Sequence, residues 1–376
     1  MINQDRLVQE FMELVRVDSE TKYEKEISEV LKKKFTELGL TITEDDAGSK
    51  IGHGANNLFA SLAATSDQEL PRLFFTCHMD TVTPGKGIKP QLDADGYIRS
   101  DGTTILGADD KAGIAAMLEG IRVLQENNIP HGKIQFVISV GEESGLLGAR
   151  AMDASYMDAD FGYALDSDKT VGHIAVAAPT QAKIYATIHG KSAHAGVNPE
   201  DGISAIQVAS KAIARMPLGR LDQDTTANIG KFQGGDQTNI VCDLVKIDAE
   251  ARSLHQEKVT EQVEKMRVAF ESAASEYGAT VDFKSEVIYP AYNYGDDAPV
   301  VKLAMRALES IGKTPKTFHT GGGSDANMFN GMGIPTVNLA VGYEFIHTLK
   351  EQIPVSELVG TAEAVVAIVK EVAKGE

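Results

Sequence analysis

The chain has 376 residues, 43% hydrophobic and 24% charged, an ordinary globular composition with length enough for two domains. Its 36 Lys and Arg against 54 Asp and Glu leave a net charge of -18, which repels phosphate backbones and anionic lipids and argues against nucleic-acid or membrane partners. Two cysteines, Cys77 and Cys242, supply neither a disulfide framework nor a cysteine-based zinc site, and no apolar run is long enough to span a bilayer, so a cytoplasmic, reducing setting is expected.

The N-terminal stretch "MINQDRLVQEFMELV" is charged early and amphipathic, without an apolar signal core. Helical periodicity covers residues 4–17, 22–40 and 112–126; in the last, Ile114, Met117, Leu118, Ile121 and Leu124 fall on one stripe. Short apolar runs at 57–63, 72–77, 133–140 and 161–165, flanked by Gly, Pro, Asp and Asn, read as strands. Strands alternating with helices predict a mostly parallel sheet covered on both faces. After Ala178 the pattern changes. "AKIYATIHG" reads as a strand, 202–215 as a helix, "ANIGKFQGG" and "NIVCDLVKIDAEARS" as strands, 256–277 as a helix and "ATVDFKSEVIYP" as a last strand. That is a β-α-β-β-α-β, ferredoxin-like order with two helices closing one face. Beyond Pro290 the α/β pattern resumes, with a helix over 299–311, a strand over 335–341 and a helix over 355–374. The expected architecture is an α/β catalytic domain of residues 1–178 and 291–376, interrupted by a smaller α+β domain at 179–290.

Polar groups collect where the predicted strands end. His78 and Asp80 follow the run "RLFFTC", and residues two apart on a strand share a face. Asp109 and Asp110 precede the helix at 112; Glu142 and Glu143 follow the strand at 133–140; Asp166 and Asp168 follow that at 161–165; His347 lies beyond that at 335–341. Parallel strands bring such ends to one edge of the sheet, where ligands of α/β proteins collect. Each residue also has a structural reading: a histidine held by its neighbours, a helix cap at Asp109 or Asp110, acids facing a helix N-terminus at Glu142 and Glu143. Together they need counter-charge, because converging carboxylates raise one another's pKa and oppose burial, and Lys111 alone is a poor neutraliser. Two divalent cations resolve this, and His with carboxylate suits zinc. The expected assignment places His78, Asp109 and Asp166 on one ion and His347, Glu143 and the shared Asp109 on the other. Glu142 is then free to act as general base on a water, and Asp80 to orient the imidazole of His78.

With these residues in place, the sequence resembles the co-catalytic zinc exopeptidases and deacylases that include peptidase T, carboxypeptidase G, acetylornithine deacetylase and the aminoacylases. The matching motifs are "HMD" (78–80), "GADDKAG" (107–113), "GEESGLLGA" (141–149), "LDSD" (165–168), "GKSAHAG" (190–196), "EAR" (250–252) and "GGGSDAN" (321–327). The resemblance covers essentially the whole chain, and "DGTTILGADDKAGIA" with Asp at position 166 is most similar to the peptidase T branch. It implies the same five metal ligands, Asp109 bridging, Glu142 as base, Asp80 orienting His78 and a cis peptide after Asp109. It further implies an oxyanion contact from His194, in several members across a dimer interface, and substrate contacts from Asn239, Arg252 and the backbone of Gly322 and Gly323. The implied activity is removal of the N-terminal residue of short peptides with two Zn2+, for which Co2+ or Mn2+ substitute, in a homodimer built through the inserted lid domain. An N-acyl- or N-carbamoyl-amino-acid deacylase uses the same chemistry on another amide. A non-catalytic reading of "TGGGSD" as a phosphate loop lacks the Lys of a Walker motif.

Overall fold

A computed structural model describes residues 1–375. The chain divides into two compact units: one of Met1–Ala177, Asn293–Thr320 and the residues from Ser324 onward, the other of Ala178–Tyr292 with Gly321–Gly323.

The first unit is built on a mixed sheet whose centre is parallel. Four strands lie side by side in the order Ile134–Ser139, Leu73–His78, Phe161–Ala164, Thr336–Leu339, all running the same way. Every residue of the first two is buried, as expected of parallel strands covered on both faces. On one side Leu58–Leu62 and then Thr41–Glu44 add antiparallel; on the other His173–Ala178 lies antiparallel to Thr336–Leu339 and carries Lys316–His319 parallel at its edge. Phe75 stacks on Phe136 with ring centres 5.9 Å apart, tying two of the central strands. The strand Leu73–His78 is in register with Ile134–Ser139, so His78 stands opposite Ser139. Thr76 stands opposite both Val137 and Ala164. The carboxyl ends of these strands therefore share one edge.

The helix Ala108–Glu126 is buried along nearly its whole length, not only on the stripe read from its sequence. It packs against the sheet on one side and against Gln4–Val15 and Val355–Val372 on the other, so small residues such as Ala115, Ala116 and Gly120 are enclosed too. Asp109 and Asp110 depart from helical φ/ψ and are joined by a cis peptide bond, so the regular helix begins after them. A small sheet of Gln91–Leu92, Tyr97–Arg99 and Gln352–Pro354 lies off the central one.

The second unit is a five-stranded antiparallel sheet in the order Gly219–Arg220, Thr225–Gly234, Leu244–Ser253, Thr180–His189, Thr280–Tyr289. Ala205–Arg215 and Gln256–Tyr277 pack on it. Ile184, Ala186 and Ile188 alternate inward and meet Val208, Val245, Ile247, Met266 and Phe270 in a separate core. Among the described residues no helix is long and apolar enough to cross a membrane.

Candidate metal centre

The edge formed by the central strand ends gathers five of the residues singled out in the sequence. Nε2 of His78 lies 3.1 Å from Oδ1 of Asp109 and 4.0 Å from Oδ1 of Asp166. Nε2 of His347 lies 3.0 Å from Oε1 of Glu143 and 3.4 Å from Oδ2 of Asp109. The two sets, His78–Asp109–Asp166 and Asp109–Glu143–His347, each offer ligand atoms within 4.8 Å of one another and meet at Asp109, one carboxylate oxygen toward each set. Four ligands are sheltered, whereas the side chain of His347 keeps 49% exposure and forms the open side.

The backbone and the buried neighbours hold these groups in place. The Nδ1 of His78 meets the main-chain carbonyl of Asp80 at 2.9 Å, while the carboxylate of Asp80 is 3.6 Å away. The orienting contact on His78 thus comes from the backbone of Asp80. Its carboxylate accepts the N–H groups of Glu142 at 3.0 Å and Glu143 at 3.2 Å, and so fixes the turn after the strand Ile134–Ser139. Asp166 is set by Asn338, whose Oδ1 accepts its N–H at 2.9 Å, and by the hydroxyl of Tyr343, which donates to Oδ1 at 3.0 Å. The turn before Asp109 is held by Glu351. Sequence reasoning missed Asn338, Tyr343 and Glu351: one is a lone amide in an apolar strand, and Glu351 sits in the charged run "LKEQ", with no local sign that it is buried.

The electrostatics show an excess of acid. Burial raises the carboxyls of Glu142 and Asp166 well above their usual range, with neighbouring carboxylates adding to the shift. Burial also raises Glu143, and lifts Asp325, which accepts a hydrogen bond from Ser139, to about 6. Asp109 behaves oppositely: burial works against its charge, but hydrogen bonds from His347 and His78 hold it well below the usual range. The ammonium of Lys111 is fully buried, lowered to about 8 mainly by burial, and bonded to Ser19 Oγ at 2.5 Å. Two imidazoles and three carboxylates converging here form a donor set suited to two metal ions sharing Asp109.

The remaining predicted residues lie in the second unit. His194 is on an exposed loop, its Nδ1 accepting the N–H of Gly196 at 3.1 Å. Asn239 lies beside it, its carbonyl accepting the N–H of Ala195 at 2.9 Å. Arg252 is gripped by Glu250 at 2.9 and 3.2 Å, and its Nη1 donates to the carbonyl of Gly321 at 3.1 Å. Gly322 and Gly323 follow on that loop, where a Cβ on Gly323 would collide with the ring of Tyr289. His194 and Asn239 are thus one cluster, and Arg252 with the glycines another.

Residues 74–371 match the profile of peptidase family M20/M25/M40. An aminopeptidase PepT from Bacillus cereus has a solved structure that superposes with a TM-score of 0.94, at 63% identity over 99% of both chains. A tripeptidase from Staphylococcus aureus superposes with a TM-score of 0.96, at 51% identity over 100% of both. A peptidase T from Clostridium novyi is 26% identical over 92% of this chain and 91% of its own.

Proposed function

The chain belongs to peptidase family M20/M25/M40 and is a metallopeptidase, and from that premise we propose that it is a two-zinc aminopeptidase releasing the N-terminal residue of short peptides, tripeptides among them. The observation that carries the reading is the pair of ligand sets meeting at Asp109, with Glu142 adjoining the ligand Glu143. His78, Asp109 and Asp166 would hold one ion, and Asp109, Glu143 and His347 the other; Co2+ or Mn2+ would substitute for zinc. Bound there, the ions would supply Lewis acidity for the scissile carbonyl and bring the pKa of water to about 7.

Glu142 takes a proton from the attacking water and delivers it to the departing amine, a role suited to a carboxyl raised by burial. Asp80 holds the backbone of Glu142 and Glu143, so the base and a ligand keep a fixed relation. His194 donates to the oxygen that gains charge, Arg252 receives the peptide's terminal carboxylate, and Asn239 with the backbone of Gly322 and Gly323 binds its polar groups. A homodimer joined through the unit of Ala178–Tyr292 and a cytoplasmic setting complete the reading.

The test is hydrolysis of a free tripeptide beside its N-acetylated twin, with protein stripped by chelator and refilled with zinc. Metal-dependent cleavage of the free tripeptide alone is expected. Cleavage at the acetyl group alone would move the protein to the deacylases of the same family.

A further inference from the structure

The ligand at the centre of the site, Asp109, stands on a turn that starts at Leu106 and passes through Gly107 with φ of 74°. The side chain that organises this turn comes from more than two hundred residues away in sequence. Oε2 of Glu351 accepts the backbone N–H of Leu106 at 2.7 Å and that of Gly107 at 2.8 Å, and Oε1 accepts that of Asp109 at 3.0 Å. Glu351 is only 2% exposed. Its hydrogen-bonding partners are these backbone groups, and the ammonium of Lys111 is turned to Ser19.

Glu351 also lies four residues beyond His347. The segment between is closed at its base by the backbone pair Glu344–Gln352, with bonds of 2.8 and 3.1 Å in the two directions. One carboxylate therefore joins the root of the loop that delivers His347 to the turn that delivers Asp109. A rigid carboxylate with both oxygens engaged fixes the position of the Asp109 backbone in a way that a flexible loop would not.

We propose that Glu351 is a positioning residue: it sets Asp109 where the two candidate ligand sets meet, so that it would serve both ions, and makes the placement of Asp109 depend on the His347 loop. The proposal rests on reading Asp109 as the shared ligand. It gives a specific signature, because an error in the shared ligand weakens both binding steps rather than one.

The experiment is titration of the metal-free full-length protein with Zn2+ against a competing chelator, for wild type, Glu351→Gln and Glu351→Asp, with the melting temperature of each metal-free protein recorded alongside. Glu351→Gln keeps the size and one acceptor oxygen; Glu351→Asp keeps the charge but shortens the reach. Both variants are expected to bind two ions with each step weakened by about 10- to 100-fold. At saturating metal, kcat should fall while KM stays within about twofold, as for a lost transition-state geometry. A residue that only supports the fold would lower the melting temperature and leave both affinities within about twofold of wild type; that result would overturn the proposal. Wild type binding fewer than two ions would remove the metal reading and this proposal with it, whereas two tight ions in wild type and in both variants would remove the proposal alone.

Discussion

Glu142 and Glu143 are adjacent in sequence and differ in surroundings. Glu143 is hydrogen-bonded to His347 at 3.0 Å, while Glu142 is raised well above its ordinary range by burial, with Asp166, Asp325 and Glu143 adding to the shift. Replacing Glu142 by Gln should therefore leave both ligand sets intact and slow hydrolysis by about 10²- to 10⁴-fold, the usual contribution of a general base. Metal content and turnover measured on the same sample decide it; full turnover would end the assignment. His347 carries a second prediction. Hydrogen bonds that His347 donates to Asp109 and then to Glu143 raise it from 6.5 to about 10, so in the metal-free protein its charged form contributes stability fully present below 6.5 and lost as pH rises through about 10. A metal ion needs the neutral imidazole, so binding must expel that proton. Apparent affinity should climb with pH across that window, by up to about tenfold per unit for each proton displaced. Calorimetry at pH near 7.5 in buffers of different ionisation heat should show the released proton, and His347→Ala should release one fewer. Three of the candidate ligands, His78, Glu143 and Asp166, stand out in the sequence because each lies at or just beyond the end of an apolar strand, whereas Asp109 stands at the entrance of a helix and His347 on a loop. The contact on His78 could not, because the choice between the carbonyl and the carboxylate of Asp80 depends on the backbone path after the strand.

Periodicity revealed those elements that bury one face or both. The alternation in "AKIYATIHG" and the long period of Gln256–Tyr277 placed strand and helix nearly where they fall. It failed for Lys316–His319 and Thr41–Glu44, strands at sheet edges that are at most partly buried and, at four residues, too short for a period to stand out. The start of the helix Ala108–Glu126 was hidden for another reason: Asp109 and Asp110 leave the helical path at its entrance, where Asp110 accepts the N–H of His78 at 3.2 Å. The same helix tests how tightly the site rests on the sheet. A Cβ at Gly113 would stand 2.5 Å from Cys77 Sγ, 2.7 Å from Asp110 Oδ1 and 2.8 Å from the carbonyl of Leu165. Helix propensity alone favours Ala over Gly by about 1 kcal/mol. Overpacking against a backbone carbonyl costs about 1–3 kcal/mol. Gly113→Ala should thus lower the melting temperature of the metal-free protein, and a rise would mean that the helix can withdraw from the strand Leu73–His78 without loss.

Each of the two units closes its own chain. In the second, Thr180 begins one strand and Tyr289 ends its neighbour, paired with Gln181, and the N–H of Ala291 reaches the hydroxyl of Thr180 at 2.8 Å. In the first, the N–H of Tyr294 donates to the carbonyl of Val176 at 2.9 Å, so the points where the chain leaves and returns are adjacent. An insertion with neighbouring ends and a core of its own, here Ile184, Val208, Val245 and Phe270, has what independent folding requires. Residues 178–292 expressed alone should therefore give a cooperative thermal transition that Zn2+ does not move. In the full chain the melting of the first unit should shift with metal, since any ligand bound only to the folded state stabilises it, by about 2.7 kcal/mol at a hundredfold excess over Kd. Calorimetry with zinc and with chelator should accordingly move one transition and leave the other in place. The complementary chain, with residues 178–292 replaced by a short Gly-Ser linker, keeps all five candidate ligands. It is expected to bind two ions and to lose tripeptide hydrolysis, because His194, Asn239 and Arg252 leave with the insert. Retained hydrolysis would assign the whole reaction to the residues of the first unit and strip those three of their proposed roles.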